Sequence, residues 1–301
     1  MEIIFLNLNA IKPIYNNLSI TIGAYDGIHK GHQAVLERLI KGKMNYQTAV
    51  FTFDIHPDYS LNKTSAQGMI NDFKDKFEVF SSFNIDYLFV LPKDILSLTA
   101  LEFNDLLKRL NVRKIVVGND FVYGANKSGD IETLRKDFEV DVVDEVTYQN
   151  ERISSTKIRK YLSMGNFKEL KNMMLTNFEI TGKVIEGSHI GEILGFRTAN
   201  IDVDEKYQVL KNGVYKVFVI INDKKYLGVA NYGINPTCNL LNKPRLEVHI
   251  LNFYKDIYNE TIKVVFDEFI RSEIKFNSKD ELIRQIKIDV NLVKESLCEL
   301  E

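Results

Sequence analysis

Ser19-Ile20-Thr21-Ile22-Gly23-Ala24-Tyr25-Asp26-Gly27-Ile28-His29-Lys30-Gly31-His32 is the stretch on which the reading of this chain turns. It opens as a short apolar run closed by glycine, the pattern of a buried parallel strand. It then turns on Gly23, Gly27 and Gly31 and enters a segment where Val35, Leu36, Leu39 and Ile40 recur at helical spacing. A strand, a glycine-rich turn and a helix, in that order, set free backbone N–H groups and the positive end of the helix dipole at the strand's carboxyl end, where a phosphate is favoured. His29 and His32 are one turn apart and share a face, so both imidazoles can hydrogen-bond a phosphoryl oxygen. Electrostatic help of that kind is what attack at an α-phosphate needs, more than a covalent nucleophile. By spacing alone the pair would serve as a cap and a surface residue; the strand–glycine–helix setting favours the phosphate.

Outward from this stretch the rhythm continues. Thr48–Phe53, Ile85–Leu91 and Lys114–Gly118 are further apolar runs, and Phe73, Phe77, Phe80 and Phe83 form a helical stripe that reads as core packing rather than a flavin box. Strand and helix in alternation predict a doubly wound, Rossmann-like α/β domain with its ligand crevice at the carboxyl ends of the strands. From about Asn177 the pattern changes to consecutive strands at Phe178–Val184, Gly213–Ile221, Lys225–Val229, Arg245–Leu251 and Thr261–Phe266. A terminal helix begins at Ser278 and is marked by Leu282, Ile286, Val290, Val293 and Leu297. That succession predicts a small antiparallel β-barrel with a terminal helix. The expected domains are 1–170 and 177–301, joined by a short helical junction.

Composition bounds the function. A chain of 301 residues suits two domains. Lys and Arg number 39 against 41 Asp and Glu, a net charge of −2 that argues against a nucleic-acid binder. With 45% hydrophobic and 27% charged residues the chain is an ordinary core-forming globular protein, not a disordered one. No apolar run approaches the roughly 18 residues of a membrane span, and Met1-Glu2 starts no basic leader, so neither a membrane partner nor secretion is expected. Cys238 and Cys298 are far apart with no metal-ligand spacing, which points to a reducing cytoplasm.

Three further segments carry chemistry. Ile153-Ser154-Ser155-Thr156-Lys157-Ile158-Arg159 puts hydroxyls before a helix and a guanidinium one turn in, which suits either an N-cap or a triphosphate tail. Gly118-Asn119-Asp120-Phe121-Val122-Tyr123-Gly124 leaves a buried strand and so falls at the same crevice edge. Gly187-Ser188-His189-Ile190-Gly191-Glu192-Ile193-Leu194-Gly195-Phe196-Arg197-Thr198-Ala199-Asn200 is glycine-rich, and its Thr198 and Asn200 share a face in an extended chain. Both offer hard oxygens of the kind Mg²⁺ takes beside nucleotide phosphates; a polar strand edge is the plainer alternative.

GAYDGIHKGH, FTFDIHP, GNDFVYG and ISSTKIR, in this order, resemble the prokaryotic bifunctional riboflavin kinase/FMN adenylyltransferase (FAD synthetase) family, and the resemblance spans nearly the whole chain. It implies that His29 and His32 bind ATP phosphates, within a loop that includes Gly23, Asp26, Gly27 and Gly31. It also implies that His56, Asn119 and Asp120 line the nucleotide or flavin side of the cleft, and that Ser155, Thr156 and Arg159 hold pyrophosphate. The second glycine-rich segment is similar to the family's kinase signature, which assigns Mg²⁺ to Thr198 and Asn200 and ATP or flavin to Gly187, Gly191 and Gly195. Leu246-Glu247-Val248-His249 implies Glu247 as general base. Alternation agrees, since Leu246, Val248 and Ile250 share one face and Glu247 takes the other. Arg271 stands open between a flavin contact and an ion pair, and His249 reads as structural. Arg197 and Glu192 replace the signature's usual proline and arginine, and the pair is expected to offset one another in charge. Implied substrates and products are riboflavin, FMN, FAD and ATP. An adenylyltransferase with a catalytically impaired barrel, and a non-catalytic flavin-binding or flavin-sensing protein, are the other readings open at this point.

Overall fold

The computed structural model describes residues 1–11, 16–55, 57, 68–187, 195–208, 210–234 and 244–298. By contacts the chain divides into two compact units, Met1–Ser155 with Met173–Leu175, and Thr156–Asn172 with Thr176–Glu301.

In the first unit the elements run β1 (Glu2–Phe5), β2 (Leu18–Ile22), α1 (Lys30–Lys41), β3 (Gln47–Thr52), α2 (Phe73–Ser82), β4 (Tyr87–Val90), α3 (Ala100–Arg109), β5 (Val112–Gly118), α4 (Ile131–Arg135) and β6 (Glu139–Val143). A short hairpin of β7 (Thr147–Tyr148) and β8 (Glu151–Arg152) follows. The six longer strands form one parallel sheet in the order β1-β4-β3-β2-β5-β6. Alternate residues of the central strands feed two separate cores. Leu18, Ile20, Phe51, Phe89 and Ile115 pack with Phe103, Leu106 and Leu107 of α3. Val50, Leu88 and Val116 pack with Leu36 and Leu39 of α1 and with Val79 and Phe80 of α2. Burial on both faces explains why these strands read as continuous apolar runs. The phenylalanine stripe is core, with Phe80 fully buried and Phe73, Phe77 and Phe83 packed around it. From β2 the chain steps one way to β3 and β4 and the other way to β5 and β6. The order therefore reverses between β2 and β5, and ligands of such sheets bind outside the strand ends at that switch. The sequence reading omits β1 and β6: one is a largely exposed edge strand and the other, Glu139-Val140-Asp141-Val142-Val143, carries charge on an edge.

The second unit holds most of α5 (Ser155–Met164) and α6 (Phe167–Met173), then β9 (Glu179–Ile185), β10 (Ala199–Asp202), β11 (Gly213–Ile221), β12 (Lys224–Ile234), β13 (Pro244–Ile250), β14 (Thr261–Arg271) and α7 (Lys279–Cys298). The six strands close into an antiparallel barrel in the order β10-β13-β12-β11-β14-β9. Two register shifts between β11 and β14 supply irregularity of the kind that bends strands round a closed barrel. Residues 156–172 group with this unit, whereas the sequence reading ran its first domain to 170. Phe167 meets Tyr215 edge-on at 5.6 Å and lies 6.2 Å from Phe266, which ties α6 to the barrel. Val290 and Val293 of α7 pack over Val214, Val229 and Leu251. The four-residue β10 falls on the segment read as extended, a short strand whose polar Asn200 and Asp202 alternate with the buried Ala199 and Ile201.

Candidate functional site

The loop after β2 builds the first site. Gly23 follows the strand and donates its N–H to Phe51 O at 3.0 Å. Gly27, at φ +65°, turns the chain into α1. His29 is the N-cap of that helix and His32 its third residue, and they cap one another: His32 N–H donates to His29 Nδ1 at 3.2 Å and His29 N–H to His32 Nδ1 at 3.4 Å. The rings stack 3.7 Å apart and 12° from parallel. A Cβ on Gly31 would lie 2.9 Å from the His29 ring, so only glycine lets that ring fold over the first turn. With both Nδ1 atoms accepting, each neutral ring carries its proton on Nε2 and presents a donor. Burial, and then the Arg152 charge, push His29 down to about 4. Burial, His29 and Lys76 push His32 well below the ordinary histidine value. Both imidazoles are uncharged at neutral pH.

The remaining first-unit residues fall around this pair. Asp26 is buried, and its carboxylate accepts from Ile70 N at 2.8 Å and Asn71 N at 3.2 Å. These bonds hold the turn of the histidine loop against the Ile70–Asn71 backbone. Asn71 returns the tie through Oδ1, which accepts from Ile28 N at 2.9 Å. Ser155 donates its hydroxyl to Asp26 O at 2.8 Å. Asn119 and Asp120 leave β5 on the other side of the switch point; Asn119 donates to Glu145 at 3.3 Å and Asp120 pairs with Arg152 at 2.6 Å. Thr156 and Arg159 belong to the α5 segment that groups with the second unit, with Arg159 buried. His56 lies outside the described residues.

The barrel builds the second site. Leu246, Val248 and Ile250 point into the barrel and Glu247 lies on the outer face, as alternation predicts. Register sets Asn200 of β10 opposite Glu247 on one side and Asn231 of β12 opposite it on the other. Gly187 lies against Asn200: a Cβ there would come 1.9 Å from Asn200 Nδ2. Glu247, Asn231 and Thr198 open on a cavity of about 670 Å³ between barrel and α7, whose apolar wall includes Phe196, Val229 and Ile286. A volume in this range, mostly apolar with a few converging polar groups, suits an aromatic ligand. His249 Nδ1 lies 2.8 Å from Arg197 O and its ring meets Phe196 edge-on, which fixes the approach to Thr198 and agrees with a structural histidine.

Arg271 lines the same cavity but is held by Asp289, with guanidinium-to-carboxylate distances of 2.7, 3.0 and 3.1 Å. The expected ion pair is present, with Asp289 buried and Arg271 half-buried rather than at the surface, and Arg271 also lines the cavity. Gly195, at φ +84°, is an exposed turn before Phe196, while Gly191 and Glu192 lie outside the described residues, and with them the expected Glu192–Arg197 pair. Among the described residues no cluster of three or more His, Cys, Asp or Glu side chains gathers as a metal centre.

Sequence reasoning missed Lys76, Asn71, Arg152 and Asn231. Lys76 had a signal: it falls on the phenylalanine stripe of α2, where a charged residue is out of place. Asn231 becomes visible only once strand register is known.

Two family models match the chain, FAD synthetase over residues 11–157 and riboflavin kinase over 174–297. The bifunctional riboflavin kinase/FMN adenylyltransferase of Buchnera aphidicola subsp. Schizaphis graminum is 35% identical over 95% of this chain and 96% of its own length. The protein of that name from Listeria monocytogenes is likewise 35% identical, over 95% of this chain and 94% of its own. A crystal structure from Streptococcus pneumoniae, named as a macrolide-efflux protein, superposes with a TM-score of 0.86 at 31% identity, over 98% of this chain and 99% of that one. That name speaks only for that protein; among the described residues here no helix is long and apolar enough to cross a membrane. With both family models matched, the narrower readings of an impaired barrel or a non-catalytic flavin binder find no support. The loop of paired histidines at the switch point, the Glu247 row on the barrel and these full-length likenesses agree: the chain belongs to the bifunctional riboflavin kinase/FMN adenylyltransferase family.

Proposed function

We propose that the protein makes FAD in two steps, phosphorylating riboflavin to FMN in the barrel unit and adenylylating FMN in the parallel-sheet unit. The observation that carries the first step is the register that sets Glu247 between Asn200 and Asn231 at the mouth of an apolar-walled cavity. Glu247 takes the proton of the ribityl 5′-hydroxyl as that oxygen attacks the γ-phosphorus and ADP leaves. Thr198 and Asn200 offer neutral hard oxygens, with the Asn200 amide seated over Gly187 and one carboxylate opposite. Such a donor set suits Mg²⁺ that arrives with nucleotide phosphates rather than one held in an all-protein cage. When bound, Mg²⁺ would neutralise phosphate charge; Thr198 and Asn200 are the residues that would hold it.

In the second step a phosphate oxygen of FMN attacks the α-phosphorus of ATP and pyrophosphate departs. His29 and His32 donate through Nε2 to the oxygens on which charge builds, and the N-terminus of α1 adds its dipole. Asn119 and Asp120 face the same crevice from the end of β5. The pyrophosphate role of Thr156 and Arg159 rests on the ISSTKIR motif alone. A cytoplasmic setting belongs to the same proposal, supported by two cysteines far apart in the sequence.

The test is a division of labour. Purified protein given riboflavin, ATP and Mg²⁺, or FMN and ATP, is followed by chromatography of the flavins. Glu247→Gln is expected to stop FMN formation and spare FAD formation from FMN, and His29→Ala with His32→Ala to do the reverse. Loss of both steps from either change in a folded protein would overturn the assignment.

A further inference from the structure

Lys76 is completely buried in the first turns of α2. Its ammonium donates to Ala24 O at 2.9 Å and Phe53 O at 3.2 Å. These carbonyls belong to the turns that leave β2 and β3, adjacent strands that pair Ile22 with Phe51. Thr52 adds its hydroxyl to Ala24 O at 3.2 Å, so the start of the histidine loop is held from two sides. A lysine removed from water is costly, and apolar packing would seal the stripe between Phe73 and Phe80 at no such cost. The charge therefore does something that a methionine there would not.

We propose that Lys76 is a positioning residue for adenylyl transfer: its buried ammonium ties the turn at Ala24, where the histidine loop begins, to the turn at Phe53. This inference rests on the role given above to the histidine pair. The groups facing Lys76 are Asp26 and Asp54 from the two turns and Asp72 and Asp75 from its own helix. Those facing His32 are His29 in the stack, the Tyr25 ring at 4.9 Å, and Lys76. The ammonium disfavours a second cation on His32, and a buried charge is weakly screened. His32 then keeps Nδ1 free to accept the His29 N–H and Nε2 protonated to donate.

The experiment compares Lys76→Met, which keeps the volume and removes the charge, with Lys76→Gln, which keeps a donor for the carbonyls. FAD formation from FMN is measured across pH in the full chain, with riboflavin phosphorylation as internal control and circular dichroism for folding. The expected result is kcat for FAD formation at least tenfold lower in both variants and phosphorylation unchanged. The acid limb of the kcat/KM profile should move to higher pH as His32 becomes easier to protonate. If Lys76→Met does not fold, Lys76→Gln decides by the same readings. FAD formation within twofold of wild type, or a lower rate with the acid limb unmoved, would overturn the proposal, the latter leaving Lys76 a purely structural role. The His29→Ala, His32→Ala double variant separates the two claims: if it still makes FAD at the wild-type rate, the histidine reading has failed whatever Lys76 does.

Discussion

His29 and His32 lie ring on ring, 3.7 Å between centroids, and each ring accepts the other's backbone N–H at Nδ1. One pair of side chains thus starts helix α1 and supplies two donors to the crevice. Capping uses Nδ1 and the donation proposed above uses Nε2, so the two can be separated by mutation.

His29→Asn keeps an oxygen acceptor at the N-cap and removes the Nε2 donor. FAD formation is expected to fall about 10²–10³-fold, the usual cost of one transition-state donor. The melting temperature should stay near wild type, whereas His29→Ala should lose a further ~1 kcal/mol with the cap. Equal melting losses in the two variants would show that the capping contact contributes nothing.

Acid should weaken the first unit through the same pair. His29 is pushed from the ordinary 6.5 to about 4 by burial and Arg152, so the unfolded chain binds a proton that the folded one refuses. Stability is then full above pH 6.5 and declines as pH falls toward 4, by about 3 kcal/mol for this group. His32 acts in the same direction. Urea unfolding at several pH values between 7.5 and 4.5 reads the slope, and His29→Asn should flatten it; an unchanged slope refutes the linkage.

Gly187→Ala should impair the kinase step without unfolding the barrel. The new methyl would sit 1.9 Å from Asn200 Nδ2, and the flexible side chain rather than the strand should give way. Displacing the amide should raise the KM for Mg·ATP in FMN formation roughly tenfold or more and leave FAD formation from FMN alone. Wild-type kinetics in this variant would mean that the seat of Asn200 is unimportant.

Asp289→Ala should destabilise the barrel unit by about 3–5 kcal/mol, because it strands the Arg271 guanidinium in a half-buried position. Combining it with Arg271→Met should recover most of that loss. Gln285 also donates to Asp289, at 3.0 Å, so recovery should be incomplete. Thermal melts of the three proteins measure the coupling directly.

Legibility followed burial and chain proximity. The central strands of the sheet were readable because both faces are buried, and β1 and β6 were not because an edge strand needs no apolar run. The histidine loop was readable because all its parts lie within one turn of each other. Glu247 was readable by alternation, and its partner Asn231 was not, because sixteen residues of sequence separate two side chains that register makes neighbours.

By itself the sequence determined what short-range physics dictates: which runs are buried, where a helix begins, which residue types can meet a phosphate or a hard cation. Tertiary structure alone decided what depends on non-local pairing. It set Asn200 and Asn231 on either side of Glu247, tied the Asp26 carboxylate to the backbone of Ile70 and Asn71, and paired Arg271 with Asp289. It also carried Lys76 into the core behind the turns of β2 and β3. The reason is common to all four: a polar group's role is set by the partner that satisfies it once water is excluded, and that partner comes from a distant part of the chain.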